Sequence, residues 1–75
     1  MNASEIVKKA MKADGITQKE LAAALDLSSQ QSIGNMLARR NGMRIDNFVK
    51  MMDKMGYEIV VRKKLGVSDE WKVEL

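Results

Sequence analysis

The chain has 75 residues, 13 Lys or Arg against 10 Asp or Glu, a net charge of +3, and no Cys, His or Pro. That length is one domain near the lower limit for independent folding, so a second copy is an expected partner. Without Cys and His there are no disulfides, no thiolate chemistry, none of the common zinc ligand sets and no usual neutral-pH general base, so no cofactor or metal is expected.

No apolar run approaches the roughly 20 residues that span a bilayer, and the opening MNASEIVKKA is a charged amphipathic start, not a signal sequence. The expectation is a cytoplasmic protein with no membrane partner. The positive charge is unevenly spread: residues 1–56 carry nine Lys or Arg against six acids, and residues 57–75 carry four against four. All of the excess therefore sits in the first three quarters, which reads as one unit, with residues 57–75 as a second element.

In chain order, Asn2 and Glu5 have capping-box spacing, and Ile6, Val7, Ala10 and Met11 share one face, predicting a helix to about Ala13 that Gly15 closes. Thr17 and Glu20 form a second capping box, opening a short helix over residues 18–25 with Leu21, Ala22 and Leu25 inward. Asp26-Leu27-Ser28 breaks the pattern, and Ser28 or Ser29 can cap a third helix over about residues 29–39 before the loop at Asn41-Gly42. A fourth helix from about Ile45 to Met55 puts Ile45, Phe48, Val49 and Met52 on its apolar side, and Gly56 ends it.

Beyond Gly56 the period changes. Tyr57-Glu58-Ile59-Val60-Val61-Arg62-Lys63-Lys64 is rich in β-branched residues, residues 66–70 supply a turn, and Trp71-Lys72-Val73-Glu74-Leu75 alternates strictly, which predicts a β-hairpin. The fold class is therefore mainly α, four helices followed by a C-terminal β-hairpin. Methionines at helical spacing beside Leu37 and Phe48 read as core, and Tyr57 and Trp71 as packing anchors of the hairpin.

Two short helices joined by a tight turn, with the small Ala22 where they approach, are the elements of a helix-turn-helix. On the third helix, with Gln30 at zero and about 100° per residue, Ile33, Met36 and Leu37 fall near 300°, 240° and 340° as one core stripe. Gln31 and Asn35 fall near 100° and 140°, with Gln30, Gly34 and Ala38 at about 0°, 40° and 80°. A face of amides and small residues without charge suits insertion into the major groove, where Gln or Asn bonds adenine N6 and N7 together; a merely solvated face would more often carry Glu and Lys. Gly34 and Ala38 read as clearance for that approach. Arg39, Arg40 and Arg44 cluster after this helix, and Gln18 and Lys19 open the second one, where the N-terminal amides also favour a phosphate.

Thr17-Gln18-Lys19-Glu20-Leu21-Ala22, followed by Leu25, Leu27 and Gln30-Gln31-Ser32-Ile33, resembles the Cro/cI-type (XRE family) helix-turn-helix of lambdoid phage repressors and many small bacterial regulators. The resemblance spans roughly residues 3–56. Asp26 stands where the family's turn glycine is usual, the segment from Leu27 to Ile33 is one residue longer, and the hairpin takes the place of a fifth helix. The resemblance implies that Gln30, Gln31 and Asn35 face bases, that Gln18 touches the DNA backbone, and that Ser29 and Asn41 lie where backbone contacts recur. Because Ile59-Val60-Val61 is apolar on both faces, one face can pack on the helices while an edge pairs with a second chain, so a homodimer through the C-terminal strands is expected, as in Cro-like members of the family, with Tyr57, Ile59, Val60, Val61, Trp71 and Val73 as its residues; the alternative is a hairpin that only completes the monomer core.

The function these features imply is a non-enzymatic, sequence-specific double-stranded DNA-binding regulator, a repressor acting as a homodimer on an inverted repeat. The alternative is an antitoxin or other interaction module on the same fold, with a toxin as its partner.

Overall fold

In the computed structural model, which describes residues 1–39, 42–65 and 69–75, four helices precede a small antiparallel hairpin. The helices are α1 (Ala3–Asp14), α2 (Gln18–Ala24), α3 (Gln30–Leu37) and α4 (Ile45–Lys54), and the strands β1 (Val60–Val61) and β2 (Trp71–Lys72). Arg40, Asn41 and the expected turn residues Gly66, Val67 and Ser68 lie outside the described residues.

Local chemistry sets most helix ends. Asn2 Oδ1 accepts the Glu5 N–H at 2.9 Å, and at α2 the reciprocal box is complete, with Glu20 N–H to Thr17 Oγ1 and Thr17 N–H to Glu20 Oε1 both at 3.1 Å. Helix α1 closes on left-handed Gly15, with Ile16 N–H reaching back to Met11 C=O at 2.9 Å. Helix α4 closes the same way through Gly56, with Tyr57 N–H to Met52 C=O at 2.8 Å.

The core is a single cluster in which Val7, Leu21, Ile33 and Met51 are fully enclosed, joined by Ala10, Met11, Ala22, Leu37 and Met52. Each fully enclosed large side chain contributes about 1.5–3 kcal/mol through loss of apolar contact with water. The methionines of α1 and α4 are core, as their spacing implies, while Met36, Met43 and Met55 pack at its margin. On α4 the apolar face differs from the expected one. Ile45 is 63% exposed and Met51 is enclosed, because the first turn of α4 overhangs the bundle and burial begins one turn later.

The hairpin pairs Val60 with Lys72 and Val61 with Trp71, and Val73 N–H donates to Ile59 C=O at 2.7 Å. Opposite residues of an antiparallel pair share a face, so Ile59, Val61, Trp71 and Val73 line one side, with Glu58, Val60 and Lys72 on the other. Lys72 Nζ lies 3.8 Å from Glu58 Oε2, an exposed pair. Ile59 packs against the helical core and Val73 is half-buried, but Val61 is 53% and Trp71 62% exposed. Trp71 is thus not the intramolecular packing anchor its size led us to expect, because the distal half of the hairpin reaches past the helices. Tyr57 ties the base of β1 to α1, its hydroxyl donating to Asp14 Oδ1 at 3.5 Å. Partial desolvation first, then the Asp14 charge and this hydrogen bond, pushes the phenol above its ordinary pKa.

Candidate nucleic-acid interface

The turn between α2 and α3 is built by a backbone motif. Leu25 ends α2, Asp26 takes a left-handed conformation at φ 60°, and Leu27 N–H returns to Ala22 C=O at 2.9 Å while Asp26 N–H reaches Ala23 C=O at 3.1 Å. The Ala22 and Ala23 carbonyls at the end of α2 are thereby satisfied, and Leu27 packs against the core. Aspartate performs the task glycine performs at the ends of α1 and α4.

Two residues, Ser28 and Ser29, then bridge to α3. Ser29 occupies the N-cap position in extended conformation without a side-chain cap bond, so α3 begins at Gln30. That start fixes the orientation of the helix. Ile33 and Leu37 are buried and Met36 half-buried, while Gln30, Gln31, Asn35, Ala38 and Arg39 are exposed. The direction opposite the core stripe is near 110° in the angular frame above, so Gln31, Asn35 and Ala38 are central. Gln30 lies on the flank toward α2, lining an open groove with Lys19, Ala22, Leu27 and Ser29.

Gly34 differs from its expected role. It is half-buried and turned toward α2, and a Cβ there would lie 3.4 Å from Gln18 Oε1. Gln18 lies over that face at van der Waals distance, so a methyl on Gly34 would meet the side chain of α2 and not an open surface. Ala38, at the end of the helix, is exposed as expected.

Gln18 and Lys19 are exposed at the first turn of α2, on the side where its amides are unpaired. Arg39 is exposed just after α3. Arg44 is engaged, its Nη2 lying 3.2 Å from Asp46 Oδ2, so a phosphate there would compete with a carboxylate already in place. Sequence reading misses Asp46, although its position two residues after Arg44, in the first turn of α4, is the available signal. Arg40 and Asn41 fall outside the described residues. The assembled surface is an uncharged amide strip on α3 flanked by cations at the start of α2 and after α3. No helix among the described residues is long and apolar enough to cross a membrane.

The family model described as Helix-turn-helix matches residues 7–61, most of the chain, from within α1 through β1. Neither the curated proteins nor the solved structures contain a match to the chain. With four helices in this order and the α2–α3 turn at its centre, the chain belongs to the XRE-type helix-turn-helix family of DNA-binding transcription regulators.

Proposed function

We propose that the protein is a transcriptional repressor that binds an inverted repeat as a homodimer, inserting α3 into the major groove of each half-site. The observation that carries this reading is the exposed face of α3, where Gln31 and Asn35 stand clear of the core with the small Ala38 beside them and no charged side chain until Arg39. Amides paired in this way bond adenine in the major groove, and Gln30 at the α2 flank extends the reading by one position. Gln18, Lys19, Ser29, Arg39, Arg40, Asn41 and Arg44 are assigned to the phosphate backbone, which fixes register and makes affinity fall with salt.

Dimerisation follows from scale, since one helix-turn-helix covers few base pairs and two copies about 34 Å apart are needed for useful discrimination. Support comes from the hairpin, whose apolar face ends in the exposed Val61 and Trp71 and whose strands have free edges. Tyr57, Ile59, Val60 and Val73 complete the assigned contact set.

Selection of duplexes from a random pool tests the whole reading. A palindromic consensus with half-sites one helical turn apart is the expected result. Enrichment without symmetry would remove the homodimer, and no enrichment would leave the hairpin face to a protein partner such as a toxin.

A further inference from the structure

The carboxylate of Asp46 is held at both oxygens. Oδ1 accepts the Asn47 N–H at 2.9 Å, and Oδ2 lies 3.2 Å from Arg44 Nη2. The first contact belongs to the helix, because the amides that open α4 have no partner within it and a carboxylate in the first turn faces the positive end of the helix dipole. Arg44 takes the N-cap position, and its side chain makes no cap bond there. The helix therefore fixes Asp46, and Asp46 in turn engages Arg44.

Three cations among the described residues are assigned to the DNA backbone, Lys19, Arg39 and Arg44, and of these Arg44 is the one in an ion pair. Its side chain is 68% exposed against 37% for Asp46, so the guanidinium stands at the surface while its partner is better sheltered. A carboxylate and a phosphodiester present the same chemistry to a guanidinium, two oxygens sharing one negative charge. Asp46 is only two residues away in the chain, so it is always within reach of Arg44, whereas a phosphate must arrive from solution. An exposed pair of this kind is weak, so DNA can displace it at the cost of part of the gain from the new contact.

We propose that Asp46 is a built-in competitor for the phosphate at Arg44, an autoinhibitory contact that holds affinity for duplex DNA below what the cations alone would give. The phosphate in this competition rests on the DNA-binding reading; Asp46 adds to it a residue that acts on DNA through Arg44. Phosphates carry no sequence, so the effect falls on all duplexes alike and base preference stays with α3.

The test measures binding of the full chain to a fluorescent random-sequence duplex across a salt series. Asp46→Asn removes the charge but keeps an oxygen for the Asn47 N–H, so α4 retains its first-turn contact. It is expected to tighten binding about two- to fivefold at low salt and to steepen the salt slope by about 1, since Arg44 then neutralises a phosphate with no carboxylate beside it. Asp53→Asn makes the same change of net charge at the other end of α4 and is expected to leave the slope unchanged. Arg44→Gln shows whether the effect passes through the arginine. It is expected to weaken binding little in the wild type and several-fold in the Asp46→Asn background.

Equal losses on Arg44→Gln in the two backgrounds, or equal gains from Asp46→Asn and Asp53→Asn, would overturn the competition and leave DNA binding in place. Weaker binding by Asp46→Asn would overturn it in the opposite sense, making Asp46 a support that holds Arg44 ready for the phosphate. If neither the wild type nor Asp46→Asn binds duplex, the DNA-binding reading falls and the competition falls with it.

Discussion

The amide of Gln18, the first residue of α2, lies over Gly34 in the middle of α3, with its Oε1 3.4 Å from where a Cβ on Gly34 would stand. That distance is ordinary van der Waals contact, and the opposing atom is the end of a flexible side chain. Gly34 also has no left-handed φ to accommodate. Its backbone freedom is therefore a net cost to the helix, about 1 kcal/mol relative to alanine.

Gly34→Ala should raise stability by about 0.5–1 kcal/mol, a shift of several degrees in Tm for a domain of this size, read by thermal or urea unfolding. The displaced Gln18 should weaken duplex binding only modestly, since its contact is to the backbone. A lower Tm would mean that Gln18 is held too tightly to move and that the glycine is required for the α2–α3 approach.

Asp26 offers the complementary case. It sits at φ 60° where the other two closed helix ends use glycine, and its short polar side chain lowers but does not remove the left-handed penalty. Asp26→Gly should stabilise by about 0.5 kcal/mol, the relief of strain being partly offset by the greater freedom of glycine in the unfolded chain. Asp26→Val, β-branched at the same φ, should destabilise by more than about 1 kcal/mol. Urea midpoints in the order Gly above Asp above Val would bear this out, and three equal midpoints would mean that the turn relaxes away from the left-handed conformation.

The contrast between these two positions shows what sequence alone makes legible. Helix ends are local events, so the Thr17–Glu20 box, Gly15 and Gly56 announce themselves within a few residues, and the core faces of α1 to α3 follow from period. The start of α3 does not, because Ser28 and Ser29 are both chemically able to cap it and Ser29, which takes the N-cap position, does so without a side-chain bond; the return of Leu27 to Ala22 decides where the turn ends. Gly34 and Ile45 are misread for a related reason. A helical period says which residues share a face, but not whether a neighbouring helix reaches that face, and Gln18 lies over Gly34 while Ile45 is 63% exposed. The engagement of Arg44 by Asp46 is likewise a choice of rotamers that the two-residue spacing allows but does not dictate.

The start of α3 at Gln30 has a consequence for readout. Gln31 points almost directly away from the buried Ile33 and Leu37, whereas Gln30 is on the flank beside Lys19 and Ala22. Gln31→Ala and Asn35→Ala should each reduce the ratio of selected to random duplex binding by the equivalent of about 1–3 kcal/mol, with Gln30→Ala having the smaller effect. Competition binding at fixed salt measures this. If Gln30→Ala proves the most damaging, the helix enters the groove by its tip and not by its central face.

The last expectation concerns how two copies meet. Because Val73 N–H bonds to Ile59 C=O within the hairpin, the backbone groups of Lys72 and Glu74 point to the free edge of β2. Two such edges paired antiparallel about Val73 would set Lys72 of one copy opposite Glu74 of the other, and Trp71 opposite Leu75, which is 71% exposed. The edge of β1 is also self-complementary, with Glu58 opposite Arg62 about Val60, but it has less exposed apolar surface to bury. Lys72→Glu should therefore shift the chain toward monomer in sedimentation at micromolar concentration, and Lys72→Glu combined with Glu74→Lys should restore the dimer. Trp71→Ala should weaken association more than either charge change, since aromatic anchors dominate interface energetics. Dimerisation untouched by these changes but broken by Glu58→Lys would move the contact to β1, and a wild type that stays monomeric would remove the strand interface altogether.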